Sequence, residues 1–285
     1  MNAPIGVFDS GIGGLSILQA LRAELPQADF IYIADSGHAP YGERDAAHVR
    51  ARSRAITAHL VQQNIQALVI ACNTATAAAI NELRADYPLL PIIGVEPALK
   101  PAALLSRTRR VGVMATRSTL ASARFKSLLD ALSGQAEFVL QPCDGLADAI
   151  EQAVHAPQGS ADAMKIVAAC ARHTRAMGTF GLKDGEIDTL VLGCTHYPFA
   201  SEVLRDMLGA KVQLVDTGTP VARQTRLRLG VSASIGTGQL TLFTTGQAST
   251  LRAAVQRWLQ LDSTVTTLVT PGHQPPALPR ARVAY

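Results

Sequence analysis

The feature that most constrains this chain is a rhythm of short apolar, β-branched runs, at residues 5–9, 30–35, 67–72, 91–95, 111–116, 138–143, 189–194 and 212–216. Each is short for a helix and too uniformly apolar to leave one face in water. That is the pattern of a parallel strand buried on both faces. Amphipathic stretches lie between most of them, at 15–25, 45–64, 119–132 and 198–208. Strand and helix in alternation predict an α/β fold of doubly wound, mainly parallel sheets. Most of the runs end in a polar cluster, in chain order F-D-S-G-I-G-G, I-A-D-S, A-C-N-T-A-T, M-A-T-R-S-T and G-C-T-H-Y-P. In parallel α/β sheets the carboxyl edge of the strands builds the ligand site, so chemistry is expected at these clusters.

Two pieces of the sequence repeat in weakened form. I-G-V-F-D-S after Pro4 echoes V-G-V-M-A-T after Arg110, and V-I-A-C-N-T echoes V-L-G-C-T-H. The echoes predict a duplicated half. If a pseudo-twofold axis relates the halves, two cysteine-bearing strand ends face each other across a cleft. The expected division is a discontinuous first unit, 1–97 plus 210–262, a second unit at 98–209, and a Pro-rich, loosely ordered tail at 263–285.

Composition narrows the function classes. With 48% apolar, 17% charged and 5% aromatic residues, the chain is that of a globular protein. The formal charge of +4 comes from scattered cations whose longest run is Arg109 and Arg110, without a basic stripe or interleaved aromatics, so no nucleic-acid partner is expected. No window approaches the roughly 18 apolar residues that span a bilayer. Nor does the N-terminus carry a basic stretch followed by an apolar core, so a cytoplasmic location is expected. Cys72, Cys143, Cys170 and Cys194 show no C-x-x-C spacing, which favours free thiols over zinc or a disulfide framework.

Cys72 stands where an apolar run stops and a helical stretch begins, with Asn73 or Thr74 placed to cap that helix. A thiol at a helix N-terminus has its pKa drawn down from about 8.5, which raises the thiolate fraction available as a base. Cys194 has the same setting, with Pro198 suited to the first turn of the next helix. Burial as a packing residue is the ordinary fate of a free cysteine. Two strand-end cysteines in echoing contexts argue for function in both, whereas Cys143 and Cys170 lack such context and read as structural. His196 either tunes the Cys194 thiol or makes a loop hydrogen bond. Asp9 sits at the sheet edge before S-G-I-G-G, placed to hold an amino group, assist a thiol or cap a helix. That glycine stretch lacks the full phosphate-loop and dinucleotide fingerprints; its amides suit a carboxylate better, and no nucleotide cofactor is expected. Asp35 leads into a turn at Pro40, Tyr41 and Gly42 whose amides suit a second carboxylate, or which is a plain surface turn. Glu151 passes locally for a solvated helix residue.

Together, F-D-S-G-I-G-G, A-D-S near P-Y-G, A-C-N-T-A-T and L-G-C-T-H-Y-P, in this order and spacing, resemble the glutamate racemase family from Ile5 to about Gly218. The resemblance implies two pseudo-symmetric α/β domains with glutamate between them and no cofactor. It implies Cys72 and Cys194 as bases on opposite faces of Cα, with Asp9 and His196 as thiol-assisting residues. Asp35 and Glu151 match acidic residues with secondary roles, Glu151 by its spacing after Cys143. Substrate contacts carried over are Asp9, Ser10, Tyr41, Gly42, Asn73, Thr74, Thr116, Thr119, Thr195 and His196, with Asp35 beside them. Amides and hydroxyls dominate this set and hold carboxylates without an arginine clamp. The resemblance further implies D-glutamate supply for peptidoglycan and allows a homodimer, while activation by a cell-wall precursor is not expected. Three rival readings stand beside it: a racemase for aspartate, a redox-sensitive binding module, and a pyridoxal phosphate racemase. The last needs a Schiff-base lysine, yet all five lysines (Lys100, Lys126, Lys165, Lys183, Lys211) lie outside the strand-end clusters.

Overall fold

The computed structural model describes residues 3–157, 159–230 and 236–268. The first half runs β1 (Ile5–Asp9), α1 (Leu15–Glu24), β2 (Phe30–Ala34), α2 (Ala46–Gln62), β3 (Ala67–Ile70), α3 (Asn73–Asp86), β4 (Ile92–Gly94) and α4 (Leu99–Leu105). The second continues with β5 (Arg110–Ala115), α5 (Arg117–Ala121), α6 (Ala123–Asp130), β6 (Glu137–Pro142), α7 (Leu146–Gln152), α8 (Ala161–Met177), β7 (Thr189–Leu192), α9 (Ser201–Leu208) and β8 (Gln213–Val215). The chain then adds α10 (Gly218–Leu229), β9 (Leu240–Thr244), α11 (Ala248–Leu259) and β10 (Val265–Thr267).

Two sheets result, one ordered β10-β9-β2-β1-β3-β4 and the other β6-β5-β7-β8, with every pairing parallel. The order 2-1-3-4 in the first recurs as 6-5-7-8 in the second. β1 therefore corresponds to β5 and β3 to β7, the strands whose sequences echo each other. Alternate residues point to opposite faces of a strand, and both faces are covered over the central strands; β6 and β8, at the edges of the second sheet, have no buried residue, contrary to the burial expected of their runs. Val7, Tyr32 and Val69 enter a core shared with α1, α10 and α11, while Phe8, Ile33 and Ile70 pack on the opposite face under α2 and α3. In the second sheet Val111, Val113 and Val191 meet α4 and α6, and Leu190 and Leu192 turn into the large core that spans both units. This is the doubly wound α/β architecture.

Several details depart from the sequence reading. The helix expected over 119–132 is broken at Ser122, whose extended backbone ends α5 and whose Oγ accepts the Phe125 N–H at 3.1 Å to start α6; a serine offers the chain such a local cap in place of a continuous helix. The 198–208 stretch opens with a tight 3-10 turn over Tyr197–Ala200 before α9. β8 pairs with β7 in the second sheet, so pairing carries that unit through Val215 rather than to residue 209. Val265–Thr267, inside the expected tail, forms an edge strand on β9; residues 269–285 of that tail lie outside the described residues.

Candidate active site

The carboxyl ends of strands from both sheets meet around one cavity of about 170 Å³. Ser10, Tyr41, Gly42, Cys72, Asn73 and Thr74 line it from the first unit, and Thr116, Glu151, Cys194, Thr195 and His196 from the second.

On the first side the chain leaves β3 and turns into α3 through Cys72 itself. Its backbone is extended (φ −134°, ψ 120°), and Sγ accepts the Ala75 N–H at 3.4 Å, so sulfur makes the cap expected from Asn73 or Thr74. The thiol also reaches Ser10 Oγ at 3.8 Å. Asn73, freed from capping, has both side-chain polar atoms buried with no hydrogen-bond partner among the described residues. Such atoms are costly to leave unmet; in a cavity wall they are an offer to a polar ligand. The helix terminus does not lower the Cys72 pKa here. Burial pushes the thiol well above its ordinary range and the Asp9 charge adds to this, outweighing the Ala75 and Ser10 hydrogen bonds.

Asp9 sits behind the cavity wall rather than in it, fully buried. Its Oδ2 accepts N–H groups from Gly11 (3.1 Å) and Gly14 (3.0 Å), and Oδ1 accepts from Thr195 Oγ1 at 3.4 Å. The glycine-stretch amides thus serve the protein's own carboxylates. Burial raises the Asp9 pKa despite opposition from the His196 charge and the two amides.

On the second side Cys194 lies just past β7, its Sγ 3.7 Å from His196 Nδ1. His196 Nε2 lies 2.7 Å from Glu151 Oε1, and the same oxygen accepts the Ile12 N–H at 2.7 Å. Burial disfavours a charged imidazole, but hydrogen bonds and charges from Cys194 and Glu151 outweigh it and hold the His196 pKa well above its ordinary value. The result is a thiol, imidazole and carboxylate in series. Glu151, locally unremarkable on its helix, enters the site only because α7 packs beside the turn that follows His196.

The remaining expected residues divide. Thr74 Oγ1 meets Thr116 Oγ1 at 3.1 Å across the cleft, and Thr116 Oγ1 donates to Thr119 Oγ1 at 2.9 Å. Thr119 therefore stands one bond behind the wall. Asp35 is also outside it: fully buried, it takes Nε and Nη2 of Arg52 at 2.9 and 2.8 Å, Thr245 Oγ1 at 2.7 Å and the Tyr41 hydroxyl. Its engaged oxygens fix the Tyr41 turn instead of facing a ligand. Cys143, read as structural, lines the cavity beside Asp144, Gly145 and Asp148, as do Ser36, Pro40 and Glu43. The strand-end rule that singled out Cys72 applies equally to Q-P-C-D-G after β6, and would have found that group. No lysine or arginine lines the cavity among the described residues, and no cluster suited to a metal occurs there. No helix among them is long and apolar enough to cross a membrane.

Residues 15–225 match the Asp/Glu/hydantoin racemase family. A glutamate racemase from Ectopseudomonas mendocina is 48% identical over 229 residues, covering 80% of this chain and 82% of that protein. Among solved structures, Escherichia coli glutamate racemase in complex with L-glutamate and the activator UDP-MurNAc-Ala superposes with a TM-score of 0.80 at 30% identity, over 95% of this chain and all of that one. The Francisella tularensis glutamate racemase with D-glutamate gives a TM-score of 0.77 at 26% identity, over 94% of this chain and 97% of that one.

Proposed function

The chain belongs to the Asp/Glu/hydantoin racemase family and is an amino-acid racemase, and we propose that it interconverts L- and D-glutamate without a cofactor, Cys72 and Cys194 working on opposite faces of Cα. The observation that carries this reading is that two thiols line one cavity, each with its own polar partners: Ser10 bonded to Cys72 with the Asp9 charge behind the wall, and His196 with Glu151 beside Cys194. The glutamate specificity rests on the named relatives.

Cys72 rests protonated because burial and Asp9 disfavour its thiolate. Cys194 faces an imidazole held in its cationic form. With L-glutamate bound, Cys194 takes the Cα proton and Cys72 delivers its own from the other face; with D-glutamate the roles exchange. The carbanion between these steps is stabilised by fixed dipoles in a water-poor cavity. Asn73 supplies an unpaired amide for a carboxylate oxygen, and the Thr74 and Thr116 hydroxyls, bonded to each other and on to Thr119, exchange those bonds for a carboxylate when glutamate binds. The product serves as the D-glutamate of peptidoglycan, made in the cytoplasm.

The test is turnover of L-glutamate in deuterated water. Optical rotation decays to zero, and early D-product carries solvent deuterium at Cα while unreacted L-glutamate keeps its proton. Ligand-dependent melting without loss of rotation indicates a binding module instead. Early transfer of the original proton into product indicates one shared base, and faster racemisation of L-aspartate moves the assignment to that acid.

A further inference from the structure

We infer that α11 holds the Cys194 half of the site in register from behind, with Arg257 and Trp258 as its positioning residues. The inference rests on the two-thiol reading above. Glu151 lies in the last turn of α7, which runs into a 3-10 turn at Ala153–His155. Helix ends leave carbonyls without internal partners. Here one guanidinium gathers three carbonyls at and just past that end: Arg257 Nη1 donates to Ala153 (3.1 Å), which also accepts the Ala156 N–H, to Val154 (3.2 Å) and to Ala156 (3.2 Å). It also places a cation at the negative end of the helix dipole. The next residue, Trp258, stacks on Phe199 with ring centroids 3.9 Å apart and planes 11° from parallel. Phe199 belongs to the 3-10 turn that starts directly after His196.

Two consecutive residues of one helix therefore grip the segments that carry Glu151 and His196. The helix itself belongs to the other unit, since Leu251, Ala254 and Val255 are buried and the flanking β9 and β10 pair into the first sheet. Neither Arg257 nor Trp258 lines the cavity. What their grip sets is the His196–Glu151 separation, and through it the cation beside Cys194. The side-chain hydrogen bonds of Cys72, Ser10 and Asp9 involve no residue of α11, so the Cys194 face, whose His196 and Glu151 segments are gripped directly, takes the larger part of the effect.

Racemisation cannot read one face alone, because enantiomers have equal free energy and kcat/KM must match in both directions in any variant. A glutamate bearing chlorine on Cβ can. Cys194 removes the Cα proton of its L-isomer, the electron pair forms the Cα–Cβ double bond, and chloride leaves; the enamine then tautomerises and takes up water to give ammonia and the 2-oxo acid. Arg257→Ala and Trp258→Ala are each expected to slow elimination from the L-isomer by about ten- to a hundredfold, the range for a small misplacement by a remote change, and to slow the D-isomer far less. Arg257→Lys and Trp258→Phe, which keep a cation and a ring, should recover most of the L-rate. Equal losses on both isomers, or an unchanged L-rate, overturn the inference. If the unaltered protein eliminates chloride from neither isomer, the two-thiol reading fails, and the grip is judged by NMR titration of His196. Its pKa should fall in Arg257→Ala as Glu151 loosens; an unchanged titration overturns the grip itself.

Discussion

Asp9 ends β1 with its carboxylate fully buried, and burial raises its folded-state pKa above the ordinary value. The folded protein therefore holds this proton more tightly than the unfolded chain. Its contribution to stability is intact below the ordinary carboxylate pKa of about 3.9 and is lost as pH rises through the raised folded value. Asp9→Asn keeps an oxygen for the Gly11 and Gly14 amides without the charge, so at neutral pH it should melt higher than the unaltered protein. The difference should vanish as pH falls towards 4 in calorimetric scans, while racemisation falls at least about tenfold with the loss of an acid–base partner. A lower melting temperature at neutral pH would contradict the burial argument. The thiols admit a sharper test. Cys72→Ser and Cys194→Ser should both cripple racemisation in each direction, since an alkoxide forms far less readily than a thiolate. On chlorinated glutamate, Cys194→Ser should still eliminate from the D-isomer and Cys72→Ser from the L-isomer. If both variants favour the same isomer, the opposed assignment is wrong.

At the scale of elements, the loop between β1 and α1 does more than its glycines announce. Its amides reach Asp9 on one side and Glu151 on the other. A Cβ added at Gly13 would lie 2.3 Å from His196 Nδ1, against a buried ring, whereas one at Gly11 meets the far end of the longer, more pliable Glu151 side chain. Gly13→Ala should therefore shift His196 and slow L-isomer elimination more than Gly11→Ala does; the reverse order would show that Glu151 is the more rigid partner. Much of this layer was legible beforehand. All eight apolar runs became strands: burial on both faces marks the central ones, β1, β2, β3 and β7, while the edge strands β6 and β8 kept an apolar run though no residue of either is buried, and the cysteines stood out because two runs ended alike. What stayed hidden depends on packing between distant segments. Glu151 reaches His196 only through the placement of α7, and Asp35 is turned from the cavity by Arg52, seventeen residues on in α2. β9, with Leu242 and Thr244 buried but threonines at two of its five positions, had too weak an apolar signal to be found.

Across the whole molecule, the two units close on the cavity from opposite flanks. Ser16 Oγ donates to the Thr195 carbonyl at 2.8 Å on one flank, and Ser118 Oγ donates to the Gly42 carbonyl at 2.6 Å on the other. Closure is tight enough that Cys72 and Cys194 are only 5% and 7% exposed. We expect glutamate to enter and leave by a parting of the units that breaks these cross-cleft bonds, which then belong to the closed state. Ser118 touches neither thiol nor its partners. Ser118→Ala removes one such bond, worth about 0.5–1.5 kcal/mol, and destabilises the closed state by that amount without disturbing chemistry inside it. Because substrate binding and closure are coupled, the loss should appear as a KM raised about two- to tenfold, with kcat kept or increased if opening limits product release. The rise in KM/kcat must be the same for L- and D-glutamate, since their free energies are equal; a mismatch would expose an error in the assay. Progress curves from each pure enantiomer supply both constants. A fall in kcat at unchanged KM would place Ser118 in the chemical step and refute its role as a latch.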